Sequence, residues 1–223
     1  MLTDAQILEA LKDCNFNNLT EDNMIHNVID FMDSTIFPHS YWDSGATKLV
    51  LTPPKEDFVI KIPLCGLPNN NFIRSYNDEE PEYYRFENAE EPCGWNYCEV
   101  EVLKYALAKE AGLGHLFAET RLVGYVHDYP IYIQPKAKIF CNERCSYSRE
   151  KREKTIDTCD DLNVYCFHAS WLSDFLEWFS PETLQKLDDW LINNHVRDLH
   201  GGNLGYSLLT GQPIIVDYSD FND

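Results

Sequence analysis

Between an amphipathic helix and a short apolar strand the chain places one glycine-rich loop, HVRDLHGGNLGY, over residues 195–206. This order constrains the fold more than any other feature. Ser180 is placed to cap the helix, Pro181 occupies its first position, and Leu184, Leu187, Trp190 and Leu191 fall on one face. After the loop the chain runs into the strand Pro213–Val216, with a carboxylate, Asp217, at its end. A buried helix and a buried strand joined through a polar loop hold that loop's side chains in fixed places. Asp198 and Asn203 lie in this loop, and Asp217 closes the strand that follows it.

The rest of the chain is able to build the core such a unit needs. It has 223 residues, 44% hydrophobic and 13% aromatic, which is globular composition and enough for one domain or two small lobes. No apolar run is long enough to span a bilayer, and MLTDAQILEALKD lacks the basic and apolar regions of an export signal, so a soluble, cytoplasmic protein is expected. The eight cysteines form no C-x-x-C pair (Cys93 to Cys98, Cys141 to Cys145, Cys159 to Cys166), which favours reduced, partly buried thiols over a structural metal. With 18 basic against 37 acidic residues the net charge is -19, which opposes nucleic acid and anionic membranes as partners. It would suit a basic or DNA-binding protein, and it also serves solubility.

Two amphipathic segments open the chain, Thr3–Lys12 with Ile7, Leu8 and Leu11, and Leu19–Phe31 with Ile25, Val28 and Ile29. A turn-rich stretch, FPHSYWDSGAT, leads to strands at Lys48–Leu51 and Phe58–Ile62, joined by a turn at 53–57. Residues 66–94 are polar, acidic and irregular, and read as a surface insertion. Asn96–Ala111 is a helix stopped by Gly112 and Gly114. Arg121–Val126 and Ile131–Gln134 read as strands, 141–160 is the one basic patch, and Ala169–Phe179 begins a helical region.

The spacing of the loop resembles the catalytic loop of protein kinases, H-R-D-L-x-x-x-N, with Asp198 and Asn203 at the D-x-x-x-x-N positions and Val196 in place of the His. His195 lies one residue earlier. Asp217 follows its apolar strand as the metal-binding Asp of D-F-G does, although Tyr218 and Ser219 replace the Phe and Gly. Phe58-Val59-Ile60-Lys61-Ile62 resembles the V-A-I-K strand, and a Lys within an apolar strand needs a counter-charge. Two acids on the next helix offer one. Glu99 shares a helical face with Leu103 and Ala106 and is chosen as the Lys61 partner, with Glu101 held in reserve. Asp43–Thr47 resembles, weakly, the glycine-rich nucleotide loop, placing Gly45, Ala46 and Thr47 at the phosphates, and Gln134 to Lys136 stand where kinases run into the adenine-binding hinge.

The resemblance covers residues 45 to 221 and implies an α+β, bilobal protein-kinase-like fold. Expected are an N-terminal helical extension (1–40), an N-lobe with a small antiparallel sheet and one key helix (41–136), and a minimal helical C-lobe (137–223). It implies ATP and Mg2+ as cofactors, Lys61 on the phosphates, Glu99 orienting Lys61, Asn203 and Asp217 on the metal, and Asp198 as base. The sequence ends at Asp223 without an activation segment or A-P-E motif, so the likeness is to compact kinase-like proteins of bacteria and phages, and a peptide platform is not implied. The acceptor is then a hydroxyl on a protein or a small molecule. Two alternatives stand beside this reading. One is a pseudokinase-like module whose acidic surface occupies a basic or DNA-binding partner. The other is a small-molecule kinase like the aminoglycoside and choline phosphotransferases.

Overall fold

The computed structural model describes residues 2–14, 41–44, 47–64, 72–76, 81–85, 95–140, 162 and 169–219. Two units are distinguished within the chain, residues 1–102 with 120–135, and residues 103–119 with 136–221. Both are built from short antiparallel sheets and a few helices, an α+β composition. The second N-terminal segment, Leu19–Phe31, and the basic patch lie outside the described residues.

Alternation along the strands organises the first unit. Its five-stranded sheet joins β1 (Tyr41–Ser44), β2 (Lys48–Thr52), β3 (Phe58–Pro63), β7 (Tyr129–Pro135) and β6 (Arg121–Val126), in that order. Leu51 pairs with Ile60 and Leu49 with Ile62, while Ile60 pairs with Ile133. Successive side chains leave a strand on opposite sides, so these residues share one apolar face. Helix α1 (Asp4–Leu11) covers that face with Ile7 and Leu11, which are fully buried in the same cluster. A capping box starts α1, in which Thr3 accepts from the Gln6 amide and the Gln6 side chain accepts from the Thr3 amide. Arg121 of β6 fixes the helix to the sheet edge through two hydrogen bonds of 2.7 Å to Asp4. The first helix of the N-terminal helical extension thus contributes to the core of this unit.

Lys61 and its neighbours occupy the other face. Lys61 stands opposite Tyr132 of β7 and opposite Val50 of β2, which puts Lys48, two residues from Val50, on the same side. Helix α2 (Tyr97–Glu110) begins here, with the Asn96 side chain accepting from the Cys98 and Glu99 amides at 3.1 and 3.2 Å. The stretch expected to be irregular contains a hairpin, β4 (Phe72–Tyr76) paired with β5 (Pro81–Arg85). Its acidic composition masks the strands, because pairing supplies the order that local propensity does not.

The second unit gathers α3 (Ala169–Leu176), α4 (Pro181–Asn193) and a three-stranded sheet of β10 (Pro213–Ile215), β9 (Leu204–Ser207) and β8 (Ala137–Ile139) around Phe117, Phe175, Leu187 and Leu191. Residues 103–119, including the later turns of α2, belong to this unit. Phe117 lies edge-on to Trp190 and Tyr218, with ring centroids 5.0 and 5.1 Å apart. The glycines around β9 predict a loop. Gly205 is in fact a strand residue, where a Cβ would fall 2.7 Å from the Lys138 carbonyl oxygen of β8.

Candidate functional site

In the first unit a buried polar cluster forms around Glu101. Its carboxylate is 0% exposed. Oε1 accepts from Lys48 Nζ at 2.6 Å and from Lys61 Nζ at 3.0 Å; Oε2 accepts from Lys61 Nζ at 2.8 Å and Thr120 Oγ1 at 2.6 Å. Gln134 Nε2 donates to Thr120 Oγ1 at 2.8 Å and extends the network into β7. A carboxylate out of reach of water is stable only when its oxygens are met by donors and its charge by cations, and both conditions hold here.

This corrects the expected partner of Lys61. Glu99 is exposed, and the residues that shared its face, Leu103 and Ala106, are exposed as well, Leu103 at 60%. The helix turns the face carrying Glu101 and Ala108 inward instead. The apolar character of Leu103 suggested the wrong face because helical periodicity gives faces but not the one that meets the sheet.

Other expected nucleotide-binding positions fare differently. Gly45 and Ala46 lie outside the described residues. Thr47 is buried, and its carbonyl accepts from the Leu64 amide at 2.8 Å. Gln134 is buried and turned toward Thr120, while the Lys136 carbonyl accepts from the Leu208 amide at 3.3 Å. Beside the cluster, the Tyr132 hydroxyl accepts from Asn96 Nδ2 at 2.8 Å, and burial pushes the pKa of this phenol upward, keeping it protonated. Sequence reasoning missed Lys48 and Thr120. A Lys at the start of a strand reads as a solvent-facing end, and only its register against Lys61 reveals it.

In the second unit the loop is fixed from both ends. Helix α4 closes in a Schellman turn: the Val196 amide donates to the Leu191 carbonyl at 2.8 Å and the His195 amide to the Ile192 carbonyl at 3.2 Å. His195 takes the left-handed conformation at φ 55 and is exposed, while Val196 packs into the core. Val196 is therefore an apolar anchor of the loop, while His195 faces solvent. Two residues on, Asp198 is exposed and Leu199 is buried.

Asn203 ties the constellation together. Its side-chain Nδ2 donates to the Asp198 carbonyl at 2.6 Å, and its own carbonyl accepts the amides of Val216 and Asp217 at 2.9 and 3.5 Å. One residue thus links the loop, through its side chain, to the residues just after β10, through its main-chain carbonyl. His200, which the sequence had not singled out, places Nε2 at 3.7 Å from Asp198 Oδ1. Its Nδ1 accepts from the Gly202 amide at 2.9 Å, which leaves the proton of the neutral ring on Nε2, toward the carboxylate. Asp217 Oδ1 accepts from Ser219 Oγ at 3.2 Å. Tyr218, fully buried, donates to the Ala118 carbonyl at 2.7 Å and clamps the segment that carries Asp217.

The oxygens of Asn203 and Asp217 are hard donors of the kind magnesium takes. No group of three or more His, Cys, Asp or Glu suited to a metal occurs among the described residues. Magnesium is commonly held by one or two protein carboxylates and completed by phosphate oxygens and water, so the pair fits that metal. Among the described residues no helix is long and apolar enough to cross a membrane. No protein-family model matches the chain, and none of the curated proteins matches it either.

Proposed function

We propose that this chain is a protein-kinase-like, ATP- and magnesium-binding phosphotransferase that moves the γ-phosphate of ATP to a hydroxyl on a protein or small molecule. The observation that carries the reading is the pairing of Lys61 with Glu101 at 2.8 Å, both buried. A strand lysine oriented by a helix glutamate is the cation that phosphoryl transfer requires at the nucleotide phosphates. The Asp198–Asn203 link adds independent support.

In this reading Lys61 hydrogen-bonds phosphate oxygens, and Glu101, rather than Glu99, sets its direction. Asn203 and Asp217 hold magnesium, which supplies charge neutralisation at the phosphates. Asp198 accepts the proton of the acceptor hydroxyl as the hydroxyl oxygen attacks the γ-phosphorus and ADP departs. The Asn203 bond to the Asp198 carbonyl holds the base's main chain still. Gln134 and Lys136 remain candidates for the adenine-binding segment.

The test has two parts. Magnesium ATP at a hundredfold excess over its dissociation constant should stabilise the protein by about 2.7 kcal/mol, read as a rise in melting temperature. Label transfer from γ-labelled ATP should fall by about 10²-fold or more in Asp198→Ala, consistent with loss of a general base. No thermal shift at millimolar nucleotide, or equal transfer by wild type and Asp198→Ala, rejects the reading.

A pseudokinase-like binding module is the second reading, and the net charge of -19 favours it. The partner is then a basic or DNA-binding protein. Loss of cellular activity in Asp198→Ala with partner binding intact rejects this second reading.

A further inference from the structure

The strand pairing that places Lys61 also places a second buried lysine on the same carboxylate. Lys48 Nζ lies 2.6 Å from Glu101 Oε1, and both side chains are almost wholly withdrawn from water, at 3% and 0% exposure. Lys61 straddles the carboxylate, 3.0 Å from Oε1 and 2.8 Å from Oε2. The two ammonium groups therefore overlap on Oε1, while Oε2 is also held by Thr120 at 2.6 Å. One cation and one hydroxyl would satisfy the essential needs of a buried carboxylate. A second cation at the closest of these lysine distances calls for a reason.

We infer that Lys48 is a positioning residue, which keeps Glu101 neutralised and in place when Lys61 turns part of its hydrogen bonding to a phosphate. The inference rests on the reading of Lys61 as the phosphate-binding lysine. An ammonium has three N–H donors and can share them between a carboxylate and an anion. Each donor that Lys61 moves to a phosphate is withdrawn from Glu101. In a site closed to water an under-compensated buried carboxylate is strongly unfavourable. Lys48 removes the conflict, because its contact with Oε1 does not depend on Lys61. Thr120, itself held by Gln134 at 2.8 Å, fixes the other oxygen, so the carboxylate cannot follow Lys61 outward.

Lys48 acts, in this account, through the Glu101 charge. That separates it from a lysine that touches the phosphates and from a lysine that merely packs. Binding of magnesium ATP and of adenosine is measured for wild type, Lys48→Met, Glu101→Gln and the double variant. Lys48→Met should weaken magnesium ATP by about tenfold and leave adenosine within about twofold, a coupling of the size expected for contacting residues. In the Glu101→Gln background the same substitution should change magnesium ATP binding by less than about twofold, since the charge that Lys48 serves is gone. Equal losses in both backgrounds would assign Lys48 to the phosphates directly, equal losses for adenosine would make it structural, and no loss would make it dispensable; each overturns the inference.

Wild type that binds adenosine but gains nothing from the phosphates overturns the Lys61 reading as well, a separate outcome. If Lys48→Met does not fold, the side-chain ammonium resonances of the wild type decide. Magnesium ATP should shift the Lys61 signal and leave that of Lys48 nearly unmoved. A Lys48 shift as large as that of Lys61 overturns the inference.

Discussion

The Asn203 side-chain amide donates to the main-chain carbonyl of Asp198 at 2.6 Å, so the two residues at the ends of the D-x-x-x-x-N spacing are bonded to each other. The spacing thus has a structural meaning apart from any metal. A loop with glycines at 201 and 202 is closed across its base by one buried side chain.

Asn203→Ala removes this bond and leaves the Asp198 carbonyl without that donor. The expected cost is about 1–3 kcal/mol of stability, measured by urea unfolding. Asn203→Asp keeps the size of the side chain but faces an oxygen toward the carbonyl, and should cost at least as much. Stability equal to wild type in both variants would show that the closure is incidental.

Glu101 and Glu99 should separate cleanly. Glu101→Gln leaves Lys48 and Lys61 buried beside a neutral amide, at an expected cost of about 3–5 kcal/mol. Glu99→Gln lies on an exposed turn and should stay within about 0.5 kcal/mol of wild type. Denaturant midpoints for the two variants measure this, and the reverse order would contradict the ion-pair assignment.

Alkaline pH should destabilise the first unit. Burial pushes the Cys14 thiol from its ordinary 9.0 up to about 12, and burial also raises Tyr129 and Tyr132. A raised native pKa means that the folded state keeps its proton where the unfolded chain has lost it. The corresponding stability is complete below the unfolded pKa and drains away between about pH 9 and 12 for Cys14. Unfolding midpoints should therefore fall progressively across that window. Iodoacetamide at pH 8.5 should leave Cys14 of the native protein unmodified while labelling it in urea; rapid native labelling would refute its burial.

Tyr218→Phe tests the clamp next to Asp217. It deletes the 2.7 Å bond to the Ala118 carbonyl but keeps the ring against Phe117, so about 1–3 kcal/mol should be lost. Tyr218→Ala also empties the ring's place in the core and should cost about 3–5 kcal/mol. Calorimetric or denaturant unfolding measures both, and equal effects would show that the hydroxyl adds nothing.

Gly205→Ala should lower stability by about 1–3 kcal/mol, because the added Cβ meets the main chain of Lys138 rather than a side chain able to move aside. Unfolding in urea is again the measurement. An unchanged midpoint would mean that β8 and β9 separate at little cost.

The local signals in the sequence are of two kinds, and they differ in what they settle. Thr3 and Ser180 mark helix starts by chemistry that acts within one turn, and both caps are present. Alternation in Phe58–Ile62 places Lys61 opposite the apolar face whatever the rest of the chain does. Gly112, with φ 75, ends α2 in the conformation that glycine adopts most easily. These features depend on neighbours along the chain, and so could be read there. β4, β5 and β9 depend on pairing, and β9 also depends on the absence of a Cβ at Gly205 against Lys138, a contact invisible in either segment alone.

The candidate site divides in the same way. By itself the sequence determined that Lys61 is a strand lysine in need of a counter-charge, and that Asp198, Asn203 and Asp217 cluster around one helix, loop and strand. Tertiary structure alone decided that Glu101 answers Lys61, that Lys48 shares the same carboxylate, and that Val196 is a core anchor. The reason is geometric. Local periodicity defines the faces of each helix and strand, but which face turns inward is chosen by the surface it meets, and that surface is assembled from residues far apart in the chain.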